Sequence, residues 1–319
     1  MFPADTLSPD LRRRNQVHAV RLAELTTMRI GGPATLVILE DRRDLPELLS
    51  LPHRWLGRGA NLLVGDQGVP EVVIKLGAAF DTISLAAPID GRALVKVGAG
   101  YDLARLIAAT VKAGLAGPEG LSGVPATIGG ALRMNAGTST SWMLDWVTRV
   151  EVLVPGEAAP RWLERKDVPD TYRSSGLPVG TLFLSAELSL ATGDPEHLRA
   201  TSVRLKQAKA ASQPLALPSA GCMFKNPSPT CPAGKLIDEL GLKGLRIGGA
   251  EISQVHANFI VNPQRTATVA DVTALVRRIR RTAWTQRQIV MELEVETWNC
   301  PAELHAHPET LLEADTCLR

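Results

Sequence analysis

The sequence predicts an α+β protein with two domains, and three observations carry that expectation. The chain has 319 residues, 45% hydrophobic and 21% charged, enough for two cores in an ordinary globular protein. Short apolar runs of strand length alternate with a few stretches of helical spacing. Two glycine-dense loops, at 57–61 and 117–137, interrupt the first half of the chain. The expected division is a first domain over 1–195, including an N-terminal arm over 1–20, a second over 196–300, and a peripheral tail over 301–319.

Composition excludes several classes. The 35 basic and 33 acidic residues give a net charge of +2, without the basic excess of a dedicated nucleic-acid binder. Cys222, Cys231, Cys300 and Cys317 form no CxxC pair, so neither a zinc knuckle nor a thioredoxin-like site nor a disulfide framework is expected. The N-terminus lacks a signal-like apolar stretch, and no run of about 18 apolar residues occurs elsewhere. A reducing cytoplasm, with no membrane, nucleic-acid or metal partner, is the expectation.

In order, residues 1–20 carry Arg12-Arg13-Arg14 and read as a solvated arm or short helix. A strand is expected over 35–39 and a helix over 44–51. The loop after Leu56 places Gly57 and Gly59 around Arg58, then runs through Ala60 and Asn61 into Leu62. Such glycines let backbone N–H groups converge on an anion; the alternative is a plain turn. The third glycine of a dinucleotide fingerprint is missing. Strands follow at 72–76 and 94–97, then a helix with Leu103, Leu106, Ile107 and Val111 on one face. The six glycines of 117–137 argue against regular helix or strand there. With Ser122 and Thr127, and with Leu121, Val124 and Ile128 to order it, this segment reads as a cradle for a phosphate-bearing cofactor.

Strands are expected at 146–154 and 182–190. Between them, Tyr172-Arg173 is either surface charge or a fixed guanidinium able to grip a carboxylate or phosphate by two hydrogen bonds. A connecting helix covers 196–211. Residues 218–227, PSAGCMFKNP, read as a tight turn leading into a short strand, with Asn226 closing it. Cys222 there is a buried thiol or an acid; at an ordinary thiol pKa of about 8.5 it is mostly protonated at neutral pH. A helix over 234–240, strands at 245–252 and 257–262, and a helix over 270–285 follow. Residues 292–296 alternate and read as a strand with its carboxylates on one face.

The motifs TMRIGGPA (27–34), LGRGANLLV (56–64), GLSGVPATIGGALRMNAG (120–137), YR (172–173), PSAGCMFKNP (218–227), AGKLID (233–238), IGGAEIS (247–253) and HANFIVN (256–262) occur in that order. Together they resemble the UDP-N-acetylenolpyruvoylglucosamine reductase family over about residues 26–295. The resemblance implies an FAD-binding fold of the vanillyl-alcohol-oxidase (PCMH) type with a smaller C-terminal α/β substrate domain. It implies Arg173 as the active-site arginine, Cys222 as proton donor where many members have serine, and Glu294 as the catalytic glutamate. The flavin loops fall on Gly57, Arg58, Gly59, Ala60, Asn61 and Leu62. They continue on Gly120, Ser122, Gly123, Val124, Pro125, Thr127, Ile128, Gly129, Gly130, Asn135, Ala136 and Gly137. Tyr172 and Asn226 match positions that touch the sugar nucleotide. The implied chemistry uses noncovalent FAD and NADPH to reduce an enolpyruvyl UDP-sugar in a monomeric protein. AGKLID follows FKNP closely, so the inserted tyrosine-bearing loop of the family's longer form is expected to be missing. Two alternatives remain: a flavin oxidase of the same fold, and a catalytically silent sugar-nucleotide binder.

Overall fold

The computed structural model describes residues 2–138, 140–307 and 309–310; Cys317 and most of the tail lie outside them. The first apolar runs build a four-stranded sheet. Pro33–Leu39 and Val72–Leu76 pair in parallel at its centre, flanked by Gln16–Arg21, antiparallel, and His53–Trp55, parallel. Central parallel strands covered on both faces need near-continuous apolar sequence. Val37 and Ile74 pack with Leu48 and Phe80 on one face; Leu36 and Val73 pack with Leu22 and Trp298 on the other.

Residues 1–20 are not a solvated arm throughout. Ser8 Oγ accepts from Leu11 N and caps the helix Pro9–Arg14, and Gln16–Arg21 is the sheet's edge strand. Arg14 and the Asn15 amide both reach the buried Asp44 carboxylate. The basic run therefore has an acidic anchor about thirty residues away, which local composition does not reveal.

The second layer is an antiparallel sheet in the order Arg161–Glu164, Val147–Leu153, Leu182–Thr192, Arg92–Gly98, Ile83–Leu85, with Leu115–Ala116 also on Leu182–Thr192. Asp102 caps the helix Leu103–Lys112, whose Leu103, Leu106 and Ile107 are buried. The glycine-rich segment does contain regular structure, contrary to expectation: the short helix Ile128–Arg133. Thr127 Oγ1 caps it at Gly130 N, and a Cβ on Gly129 would sit 3.2 Å from Ala99, so glycine permits the helix to lie against that chain. Close packing outweighs the low helix propensity of two glycines.

The third unit is an antiparallel sheet ordered Ser219–Cys222, Phe259–Val261, Ala250–Ile252, Arg246–Ile247, sharing one core with the helices Ala233–Glu239 and Val269–Arg287. The expected strand at 245–252 is a hairpin, because Gly248 takes φ +55° and turns the chain. The motif at 218–227 begins as strand rather than turn, with an irregularity at Gly221 (φ +82°). Residues 228–231 form only a turn before Ala233–Glu239. The helix Pro195–Ser212 connects the second layer to this unit.

The expected strand at 292–296 is displaced. Leu293 bridges Phe224, Glu294 N donates to Met223 O at 2.9 Å, and the strand proper is Glu296–Trp298, parallel to Leu62–Val64. The carboxylates do not share a face: Glu294 is 12% exposed at its side chain, whereas Glu292 is 72% exposed beside Lys225. Among the described residues, no helix is long and apolar enough to cross a membrane and no His/Cys/Asp/Glu cluster could hold a metal.

Candidate active site

A cleft of about 1990 Å³ opens where the three units meet, lined by both glycine loops, Tyr172, Arg173, Cys222, Asn226 and Glu294. Tertiary ties hold its walls. A Cβ on Gly57 would lie 2.8 Å from Thr127 Oγ1, so the two glycine loops abut. Thr27 Oγ1 donates to Gly59 O (3.2 Å) and Ser219 O (2.7 Å), clasping the first loop to the strand of Cys222. Asn61 Nδ2 donates to Glu294 O at 3.1 Å, so this loop residue also holds the segment bearing the glutamate.

The loops suit a diphosphate. Among the described residues, the backbone N–H groups of 57–61, and those of Gly123, Ala126 and Thr127, have no protein acceptor. Convergent backbone donors without partners are an anion site. Of the residues assigned to the flavin loops, Gly57, Arg58, Gly59, Ala60, Asn61, Gly120, Ser122, Gly123, Val124, Pro125, Thr127, Gly129, Gly130, Ala136 and Gly137 line the cleft. Two do not. Ile128 is wholly buried in the core of the second layer. Asn135, at φ +39°, donates to Asp170 and accepts from Leu144 N, holding its own turn. Leu62 reaches the cleft wall but packs mainly in the core.

Arg173, Cys222 and Glu294 converge. Arg173 Nε lies 2.9 Å from Glu294 Oε1, yet its N–H is not aligned along that contact and has no hydrogen-bond partner. Nη1 donates to Gly137 O at 3.2 Å, and the guanidinium lies 5.3 Å from the Tyr172 ring centroid and 5.8 Å from that of Trp142. Arg173 takes φ +59°, a conformation costing a non-glycine residue about 1–3 kcal/mol and common where function demands it. Burial pushes the Glu294 carboxyl up, against the opposing pull of Arg173 and Lys225. Burial, then the Glu294 charge, pushes the Cys222 thiol up to about 12, although Arg173, Lys209 and a hydrogen bond with Asn258 oppose this. The ordinary thiol value expected from sequence is thus corrected: Cys222 stays protonated well beyond neutral pH.

Asn226 Oδ1 accepts from Ala233 N at 2.9 Å at the start of Ala233–Glu239, and Tyr172 is half exposed at the cleft mouth. Three residues escaped the sequence reading. Asn258 clamps the Cys222 strand, accepting from Phe224 N (3.0 Å) and donating to Phe224 O (2.8 Å); a buried polar residue within HANFIVN was the available signal. Trp142 packs edge-on to Tyr172 at 6.2 Å. Lys209 enters the cleft from the connecting helix, its ammonium pushed down by burial and by Arg173. Nothing local in the sequence distinguishes it from Lys206, the other lysine of that helix.

The cleft and its layers define a flavoprotein oxidoreductase: a family model described as an FAD binding domain matches residues 34–157, covering the first glycine loop and most of the second layer. A second, described as the UDP-N-acetylenolpyruvoylglucosamine reductase C-terminal domain, matches residues 213–298, which include Cys222 and Glu294. A UDP-N-acetylenolpyruvoylglucosamine reductase of Thermus thermophilus is 42% identical over 89% of this chain and 99% of its own length. One of Deinococcus radiodurans is 38% identical over 89% and 96%. The crystal structure of the Thermus caldophilus enzyme of that name superposes with a TM-score of 0.77 at 41% identity, covering 89% of this chain and 99% of that one. The chain belongs to the UDP-N-acetylenolpyruvoylglucosamine reductase family, and it is an FAD-dependent oxidoreductase with the FAD-binding fold expected from its motifs.

Proposed function

We propose that this protein reduces the enolpyruvyl ether of UDP-N-acetylglucosamine-enolpyruvate to UDP-N-acetylmuramate, a peptidoglycan precursor, with NADPH as reductant, as a cytoplasmic monomer. Residues 1–195 act as the FAD domain and 196–300 as the substrate domain. The observation that carries this reading is the meeting of Arg173, Glu294 and Cys222 in the cleft beside the unpartnered N–H groups of 57–61.

Bound FAD supplies hydride-transfer chemistry, held at its diphosphate by the two glycine loops. The double bond is saturated by a hydride at C3 and a proton at C2, and negative charge develops on C2 and the carboxylate between the two events. Arg173, whose guanidinium lines the cleft, stabilises that charge where it forms. Glu294, beside the Arg173 guanidinium, orients that side chain toward the same group. Cys222 donates its thiol proton to C2. Tyr172, Trp142 and Asn226 fix the substrate at the cleft wall.

The test is NADPH oxidation by the purified yellow protein with and without the enolpyruvyl nucleotide, with mass analysis of the product. Nucleotide-dependent oxidation and a product two hydrogens heavier are expected. Oxygen consumption with an alcohol, or no turnover, would overturn the assignment.

A further inference from the structure

We propose that Lys75, outside both glycine loops, is the counter-charge of the FAD diphosphate; this rests on the FAD assignment above. The argument begins with strand register. His53–Trp55 runs parallel to Val72–Leu76 with Trp55 opposite Ile74, and Leu56 N donates to Ile74 O at 2.8 Å. The first glycine loop therefore leaves the sheet alongside Lys75. Val73, on the same face of that strand, is wholly buried, while Lys75 is half-buried and lines the cleft with Gly57 and Arg58.

The neighbouring charges are engaged elsewhere. Arg58 pairs with Asp102 at 3.0 Å and Arg105 with Asp81 at 2.7 Å. Glu40 accepts from Gln16 Nε2 (3.2 Å) and Ala78 N (2.6 Å). Among the described residues, Lys75 has no hydrogen bond or ion pair, and burial together with Arg58 holds its ammonium below its ordinary pKa. A partly desolvated cation without a partner is costly in the free protein and favours whatever anion enters. The N–H groups of 57–61 beside it are also unpartnered. Backbone donors plus a point-charge lysine are the complement of a phosphate group, and the diphosphate is the only charged part of FAD at neutral pH.

The experiment titrates FAD into apoprotein at several salt concentrations for wild type, Lys75→Gln and Lys75→Arg, with apoprotein melting as a check on folding. For Lys75→Gln, FAD affinity should fall by at least about tenfold, its salt dependence should shrink as one screened attraction is removed, and apoprotein melting should be unchanged or higher. Lys75→Arg should stay within about threefold of wild type. Unchanged affinity in Lys75→Gln would overturn the proposal. So would a loss of affinity with wild-type salt dependence and a lower apoprotein melting temperature, which marks a structural role. A wild-type apoprotein that bound no FAD would sink the FAD assignment as well, whereas failure in the variants alone leaves that assignment standing.

Discussion

Cys222 carries the sharpest consequences at the scale of single residues. With its thiol pushed up to about 12, the substrate half-reaction should show no alkaline loss between pH 7 and 10; a midpoint near about 8.5 would mean an ordinary thiol. Cys222→Ser should keep substantial activity, since a hydroxyl is also protonated throughout. Cys222→Ala should leave cofactor reduction by NADPH nearly unchanged and slow reoxidation by the nucleotide by about 100-fold or more, with loss of stereocontrol at C2. Stopped-flow traces of each half-reaction decide, and an Ala variant of normal rate and single configuration would remove Cys222 from the chemistry. Arg173→Lys keeps charge but loses the planar fork, and should cost at least about tenfold in turnover with little effect on the NADPH half-reaction. Glu294 has a thermodynamic signature. Its folded-state pKa is raised above the ordinary 4.5, so the folded protein binds that proton more tightly than the unfolded chain. Stability it contributes at low pH is lost as pH rises from about 4.5 through the raised value, and the charged form is a penalty above it. Glu294→Gln should therefore gain on wild type across that window in urea melts of apoprotein, then run level. The opposite sign would mean that the ion pair with Arg173 outweighs burial.

At the scale of elements, glycines of both loops also serve backbone packing. A Cβ on Gly59 would lie 2.4 Å from Leu25 O at φ +66°, and one on Gly129 would press on Ala99. Gly59→Val should cost at least about 2 kcal/mol of apoprotein stability, seen as a lower urea midpoint even with no FAD present. A variant that lost only FAD affinity would show instead that the side chain points at the cofactor. The long helices were legible in the sequence: Val272, Leu275, Val276 and Ile279 fall at helical spacing and are all buried. Gln16–Arg21 was not, because an exposed edge strand has no buried face to pattern its residues. Of the candidate site, Cys222, Arg173 and Glu294 were named through the family resemblance, because the residues alone left each open, whereas Trp142 and Lys209 reach the cleft only through where the fold carries them.

At the scale of the whole molecule, the cleft is built by segments from all three units, so FAD bound there bridges the glycine loops and stabilises them together. Ligand at about 100 times its dissociation constant should add about 2.7 kcal/mol, raising the melting temperature in a concentration-dependent way. Acid precipitation should release all the yellow colour, and flavin retained on the pellet would show covalent attachment. Among the described residues, Leu62–Val64 obtains its only strand partner from Glu296–Trp298, near their other end. On a ribosome adding about 5–20 residues per second, roughly 230 residues must be made after Val64 before that partner exists. For on the order of ten to fifty seconds the nascent chain must therefore carry Leu63 and Val64, both sealed from water in the finished protein, without the strand that covers them.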